Sequence, residues 1–188
     1  MRKIRHNHAF AYHEAGHAAV AALLGILRNA SVITVASAVK GEGGFVWLSK
    51  RPCKRWSARY KRKYILVLYA GPAVSKKLFP GVNLLEESGY YESDMVQAEH
   101  LMQFCAPGSW EWTGDLVFQS YKERMWSRAV AIVNANWQAI CALAKELAKH
   151  KTLTGTMVKA SLATHPTRPE SVQTNRTATT TRTKRSHC

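Results

Sequence analysis

A chain of 188 residues has room for one domain with a sizeable core and too little for two domains plus linkers. Its Lys and Arg exceed Asp and Glu by a formal +15, concentrated at Arg2, Lys3 and Arg5, in the run Lys50 to Lys63 and in the C-terminal tail. That excess favours acidic partners, nucleic acid or an anionic surface, although a basic surface most often serves solubility and no specific nucleic-acid recognition is expected from it. The four cysteines, Cys53, Cys105, Cys141 and Cys188, form no CxxC pair, which excludes a zinc ribbon or a dense disulfide framework and favours a reducing compartment. No apolar run reaches membrane-spanning length, and Met1-Arg2-Lys3 passes straight into polar His6-Asn7-His8, so a soluble, cytoplasmic chain without a transmembrane segment is expected.

Asn7 is placed to cap a first helix that runs along Ala15, Gly16, Ala18, Ala19, Ala21 and Ala22 and stops at Gly25. Within it stands His13-Glu14-Ala15-Gly16-His17, an HExxH pattern. Residues four apart share a helix face, so His13 and His17 can turn ring nitrogens toward one metal ion, while Glu14 on the adjacent face suits a general base and not a ligand. The small residues permit close packing all round, which suits a helix at the centre of the fold.

From Ser31 to Val39 the β-branched residues predict a strand, the glycines of Lys40 to Gly44 a turn, and Phe45-Val46-Trp47-Leu48 a second strand completing a hairpin. The basic run interrupted by Trp56 and Tyr60 leads into a helix from about Ser57 to Leu78, which Gly71-Pro72 should kink or break. Its basic and aromatic start reads as the solvent face of an amphipathic helix. Pro80 to Tyr91 reads as a loop, and Ser93 caps a helix carrying Met95, Ala98, Leu101 and Met102 inward. After a loop from Pro107 to Gly114, apolar residues from Leu116 to Leu147 recur at helical spacing, with Trp126 and Trp137 as core. Leu153 to Leu162 is a last short helix. Beyond Thr164 the chain is Thr, Arg, Pro and Ser with almost nothing apolar, and is expected to be disordered. The fold class is therefore mostly α with a small β-hairpin or sheet, as one domain over 1–163 and a basic tail over 164–188.

A catalytic zinc typically takes three protein ligands and leaves a fourth position open. The candidates for the third are Glu92, Asp94, Glu99 and His100. Asp94 in a first helical turn suits a short, rigid ligand, and equally suits a helix N-terminal acid favoured by the dipole. Helix geometry ranks Asp94 first, Glu92 second and His100 third.

The segment Ala11 to Ala18 resembles the motif of the peptidase domain of FtsH-type ATP-dependent zinc proteases, whose domain is zincin-like and largely helical. Tyr69-Ala70-Gly71-Pro72-Ala73 is similar to that family's small-residue turn, Ser93 to Ala98 to the segment whose Asp supplies the third ligand, and Lys151 to Gly155 to the turn before the last helix. The resemblance implies Zn2+ held by His13, His17 and Asp94, Glu14 as catalytic base, and a substrate peptide lying extended along the strand Phe45, Val46, Trp47 and Leu48. It also implies a homo-oligomer by way of a ring-forming ancestor. Val74-Ser75-Lys76-Lys77 departs from the family, which commonly has acidic residues there, and the family's membrane anchor and ATPase module are not expected in this chain. The function expected is a zinc metalloendopeptidase, a hydrolase cleaving peptides or unfolded proteins, with any ATPase partner acting in trans. The alternative is a catalytically silent peptidase-like module whose basic surface binds a protease, nucleic acid or a membrane.

Overall fold

The computed structural model describes residues 2–35, 45–47, 56–80, 90–105 and 116–165. The first helix, α1 (Arg2–Leu23), begins upstream of the expected cap, so that Asn7 lies inside it. Lys3, Ile4 and Arg5 propagate the helix, and that outweighs the capping preference of a single Asn. The C-terminal stop is where the sequence puts it. Gly25 adopts a left-handed φ of 69°, and the amides of Gly25 and Ile26 close back on the carbonyls of Ala22 and Ala21 at 3.0 and 2.9 Å. That pairing is a Schellman cap, which satisfies carbonyls that the helix end would otherwise orphan.

Three short strands form one antiparallel sheet in the order β2, β1, β3. β1 (Val32–Thr34) pairs on one side with β2 (Phe45–Trp47), Ile33 opposite Val46, as the expected hairpin requires. Its other neighbour, β3 (Thr152–Thr154), was not expected. Leu153, assigned from sequence to the last helix, instead sits in β3 opposite Ile33 and is buried. The alternation Thr152-Leu153-Thr154 fits a half-buried strand, and Thr154 then caps α6 (Gly155–Ala163) by accepting from the Met157 amide at 3.3 Å. The turn at 40–44, Val39 and Leu48 lie outside the described residues.

α2 (Ala58–Leu78) starts as predicted, with the Ser57 side chain accepting from the Tyr60 amide at 3.2 Å. Pro72 does not break it: the helix continues unbroken to Leu78. The missing amide and ring clash cost about 3 kcal/mol. Every residue from Ile65 to Val74 is buried, and that burial outweighs the penalty. α3 (Tyr90–Met102) also starts earlier than predicted. Ser93 is therefore not a cap, and its hydroxyl accepts from the Gln97 side chain one turn on at 3.1 Å. The single long helical region divides into α4 (Leu116–Ala135) and α5 (Trp137–His150) at Asn136, which is buried and bonds back to the Ile132 carbonyl at 2.8 Å. An Asn side chain competing for the preceding carbonyls favours such a break.

α1 packs between α2 and α5, with α6 against α1 and α5, while α2 carries α3 and α4 on its other side. The core runs through Val20, Ile65, Tyr69, Val74, Ile140 and Leu143. Trp126 meets Tyr69 edge-on at 5.5 Å and Trp137 stacks by Tyr12 at 6.3 Å, both as core-flanking rings. The contact between α1 and α2 is close: a Cβ added at Gly16 would lie 2.7 Å from Val74 Cγ2 and 3.0 Å from the Ala70 carbonyl oxygen. Among the described residues no helix is long and apolar enough to cross a membrane. Of the loop expected from Pro80 to Tyr91, Tyr90 and Tyr91 belong instead to α3, and residues 81–89, like 107–114 and 166–188, lie outside the described residues.

Candidate metal centre

His13 and His17 lie on α1 where it meets α2, and both are buried. Their Nε2 atoms are 3.0 Å apart. Asp94, carried by α3, places Oδ2 2.9 Å from His13 Nε2 and 3.0 Å from His17 Nε2. Among the described residues these three are the group of His, Cys, Asp and Glu side chains that could hold a metal ion. Asp94 thus joins the histidines as ranked, although it stands in the second turn of α3 and not the first.

The other nitrogens of the two rings are tied to α2. His17 Nδ1 lies 2.7 Å from the Val67 carbonyl oxygen, which can only accept, so the proton is on Nδ1. His13 Nδ1 is 3.1 Å from Ser75 Oγ, whose own hydroxyl donates to the Gly71 carbonyl at 3.1 Å. Ser75 therefore has a lone pair to offer His13, and this Nδ1 also carries its proton. Both neutral rings then present unprotonated Nε2 lone pairs to each other and to a carboxylate oxygen. Three such acceptors at this spacing repel unless a cation lies among them.

The spacing fits a small cation. Tetrahedral zinc, with ligands at about 2.0–2.2 Å, separates its donor atoms by about 3.3 to 3.5 Å; the observed distances of 2.9 to 3.0 Å need only a slight opening. Nδ1 bonds that fix ring orientation and tautomer are what a metal-ligating histidine requires of its surroundings. Solvent reaches the group from the α3 side, where the Asp94 side chain keeps 17% of its surface exposed against 2% for His13.

Space for the group is made by α2. A Cβ at Gly71 would lie 2.4 Å from His17 Nε2 and 2.7 Å from His13 Nε2. Gly71 and Ser75, one turn apart, were missed as site residues from sequence, although a Gly and a Ser at i and i+4 on a buried helix is the signal that a partner approaches closely there.

Protonation follows the geometry. For His17, burial works against the charged ring, but the Asp94 carboxylate, its hydrogen bond and the nearby Glu14 outweigh it and raise the pKa to about 9. Burial dominates at His13 and lowers its pKa. Asp94 is pushed up by burial, yet the His17 charge and the hydrogen bond from its ring hold it well below the usual carboxylate range. In the metal-free protein one proton on His17 thus supplies the cation that the three acceptors need. Glu14 is buried and lies outside the donor group. Burial pushes its carboxyl up to about 8, with His17 opposing and Asp94 reinforcing.

The remaining candidates do not converge here. Glu99 pairs with Lys122, and His100 is exposed with its ring 5.8 Å from Phe104. The side chain of Glu92 lies outside the described residues. Phe45, Val46 and Trp47 form β2, the outer strand in the order β2, β1, β3, and β2 packs beside α1. In comparisons with known proteins, no protein-family model and no curated protein matches this chain.

Proposed function

We propose that the chain is a zinc metalloendopeptidase hydrolysing peptide bonds of peptides or unfolded proteins, as its resemblance to FtsH-type peptidase domains implies. The observation that carries the reading is the convergence of His13 Nε2, His17 Nε2 and Asp94 Oδ2 within 3.0 Å, both rings being held through Nδ1 by α2. A bound zinc supplies a Lewis acid that polarises the scissile carbonyl and makes water nucleophilic near neutral pH. The chain's own residues do the rest. Glu14, buried next to a ligand, would as its carboxylate take the proton of the attacking water and pass it to the leaving amine. β2, at the rim of the sheet beside α1, offers backbone groups to an extended substrate, which therefore has to arrive unfolded.

The test is hydrolysis of unfolded casein by purified protein, with and without chelator. Cleavage that depends on one zinc per chain and vanishes in a Glu14→Gln variant that retains its zinc is the expected result. Cleavage unaffected by chelation refutes the reading. The second reading, a catalytically silent module binding through its basic surface, draws on the +15 charge; protein purified without chelator that holds no zinc would favour it.

A further inference from the structure

Three half-buried rings line up at the N-terminal end of α2. Trp56 lies 4.5 Å from Tyr60 at an interplanar angle of 68°, and 5.2 Å from Tyr64 at 56°. Tyr60 and Tyr64, one turn apart, share a helix face and pack only partly against the core. Tyr64 stands two turns before Gly71, about 10 Å along the helix axis from the metal-ligating rings. Burial, Tyr60 and the Asp94 charge together push the Tyr64 phenol up to about 12, so the row ends within electrostatic reach of the candidate centre. An extended polypeptide at about 3.3 Å per residue covers the 10 Å with about three residues.

The segment that carries the rings is basic. Residues 56 to 64 include Arg59, Lys61, Arg62 and Lys63 and no acid. Two of these serve the fold: Lys61 is buried with Nζ 5.2 Å from the Phe104 ring, and Lys63 donates to the Leu24 carbonyl. Arg62 acts on Cys105 and Tyr121, away from the rings. Arg59 is exposed, and so is Arg28, whose charge is felt at Tyr60.

We propose that Trp56, Tyr60 and Tyr64, with Arg28 and Arg59, form a shelf selecting acidic polypeptide segments that carry an aromatic side chain. This rests on the peptidase reading above and names its substrate class. Aromatic rings among cations also suit single-stranded nucleic acid, but bases stack on open, parallel platforms. Here Trp56 meets its neighbours tilted or edge-on, an arrangement that cradles one isolated ring.

The experiment uses full-length, zinc-loaded Glu14→Gln protein and three labelled peptides followed by fluorescence anisotropy: a Glu-rich peptide with one Phe, its Phe→Ala counterpart, and its Glu→Lys counterpart. The first should bind about tenfold tighter than either of the others, as one aromatic contact plus two exposed ion pairs allow, and less tightly as salt rises. Trp56→Ala and, separately, the surface change Arg59→Glu should erase the preference. Equal binding of all three peptides overturns the proposal, as does an oligonucleotide that displaces the acidic peptide at lower concentration than the peptide itself. The Glu14 enzyme separates the two readings: cleavage of all three at equal kcat/KM removes the shelf and keeps the peptidase, whereas preferential binding without cleavage keeps the shelf and removes the peptidase.

Discussion

Replacing Gly71 with Ala tests the centre through a residue that touches the ligands without being one. The added Cβ would stand 2.4 Å from His17 Nε2, where ordinary contact begins at 3.4 Å, so the ring tip has to retreat by about 1 Å. A metal site tolerates about 0.2 Å in its bond lengths. Retreat also pulls His17 Nδ1 from the Val67 carbonyl, now at 2.7 Å, and His13 from Ser75. Loss of an orienting partner alone lowers metal affinity about 10- to 100-fold, and displacing the donor atoms as well puts the expected loss above about 100-fold, or about 2.8 kcal/mol. The metal-free fold should suffer less. Ala is better than Gly in a helix by about 0.5–1 kcal/mol, against an overpacking cost of about 1–3 kcal/mol. Zinc titration against a chromogenic chelator, paired with urea unfolding of the metal-free protein, reads the two effects separately. A Gly71→Ala protein that binds zinc as tightly as the parent refutes the assignment of these side chains to a metal centre.

Asp94→Ala should lower zinc affinity and peptidase activity together, whereas His100→Ala, altering an exposed ring beside Phe104, should leave bound zinc unchanged; mass spectrometry of the native proteins counts the metal. Ser75→Ala removes the acceptor of His13 Nδ1 and should weaken zinc about 10- to 100-fold while the protein stays folded, measured by the same chelator competition. The metal-free protein should lose stability as pH rises from 6.5 to about 9: the His17 pKa is raised, so its contribution is complete below 6.5 and gone above its folded value, and Glu14, raised to about 8, acts in the same direction. His13, with its pKa lowered, opposes this below 6.5. A melting temperature in chelator that climbs steadily across that window would contradict the described protonation.

The HExxH helix was legible in the sequence because its information is local. Spacing of four puts His13 and His17 on one face whatever else the chain does, and Gly25 ends the helix by its own conformational freedom. Asp94 was ranked first among the candidates on helix geometry and implied by the resemblance, but its approach to the two histidines depends on α3 lying on α2. The i, i+4 spacing of Gly71 and Ser75 signals a close approach but not what approaches, since their role in the site exists only once α1 packs against α2. The overturned expectations have the same origin. Pro72 should break an isolated helix, and burial of the flanking turns holds it. Ser93 has a capping side chain, but α3 extends past it. Leu153 has a helical neighbour on one side and a strand partner far away in sequence on the other, and the strand partner wins.

The pairing of β1 with β3 bears on how the protein is made. Thr34 and Thr152, whose hydroxyls lie 2.9 Å apart, are separated by 118 positions, and Gly155 donates its amide to the Ser31 carbonyl at 2.8 Å. At that latch a Cβ on Gly155 would fall 1.8 Å from the Arg28 carbonyl oxygen, so no side chain can enter. During synthesis the HExxH segment emerges well before α5, against which α1 rests, and β3, which completes the sheet. Such long-range closure is slow relative to helix formation. A nascent or prematurely terminated chain therefore carries both histidines without the packing that holds them, and the three donor atoms can come together only after α3, α5 and β3 have emerged.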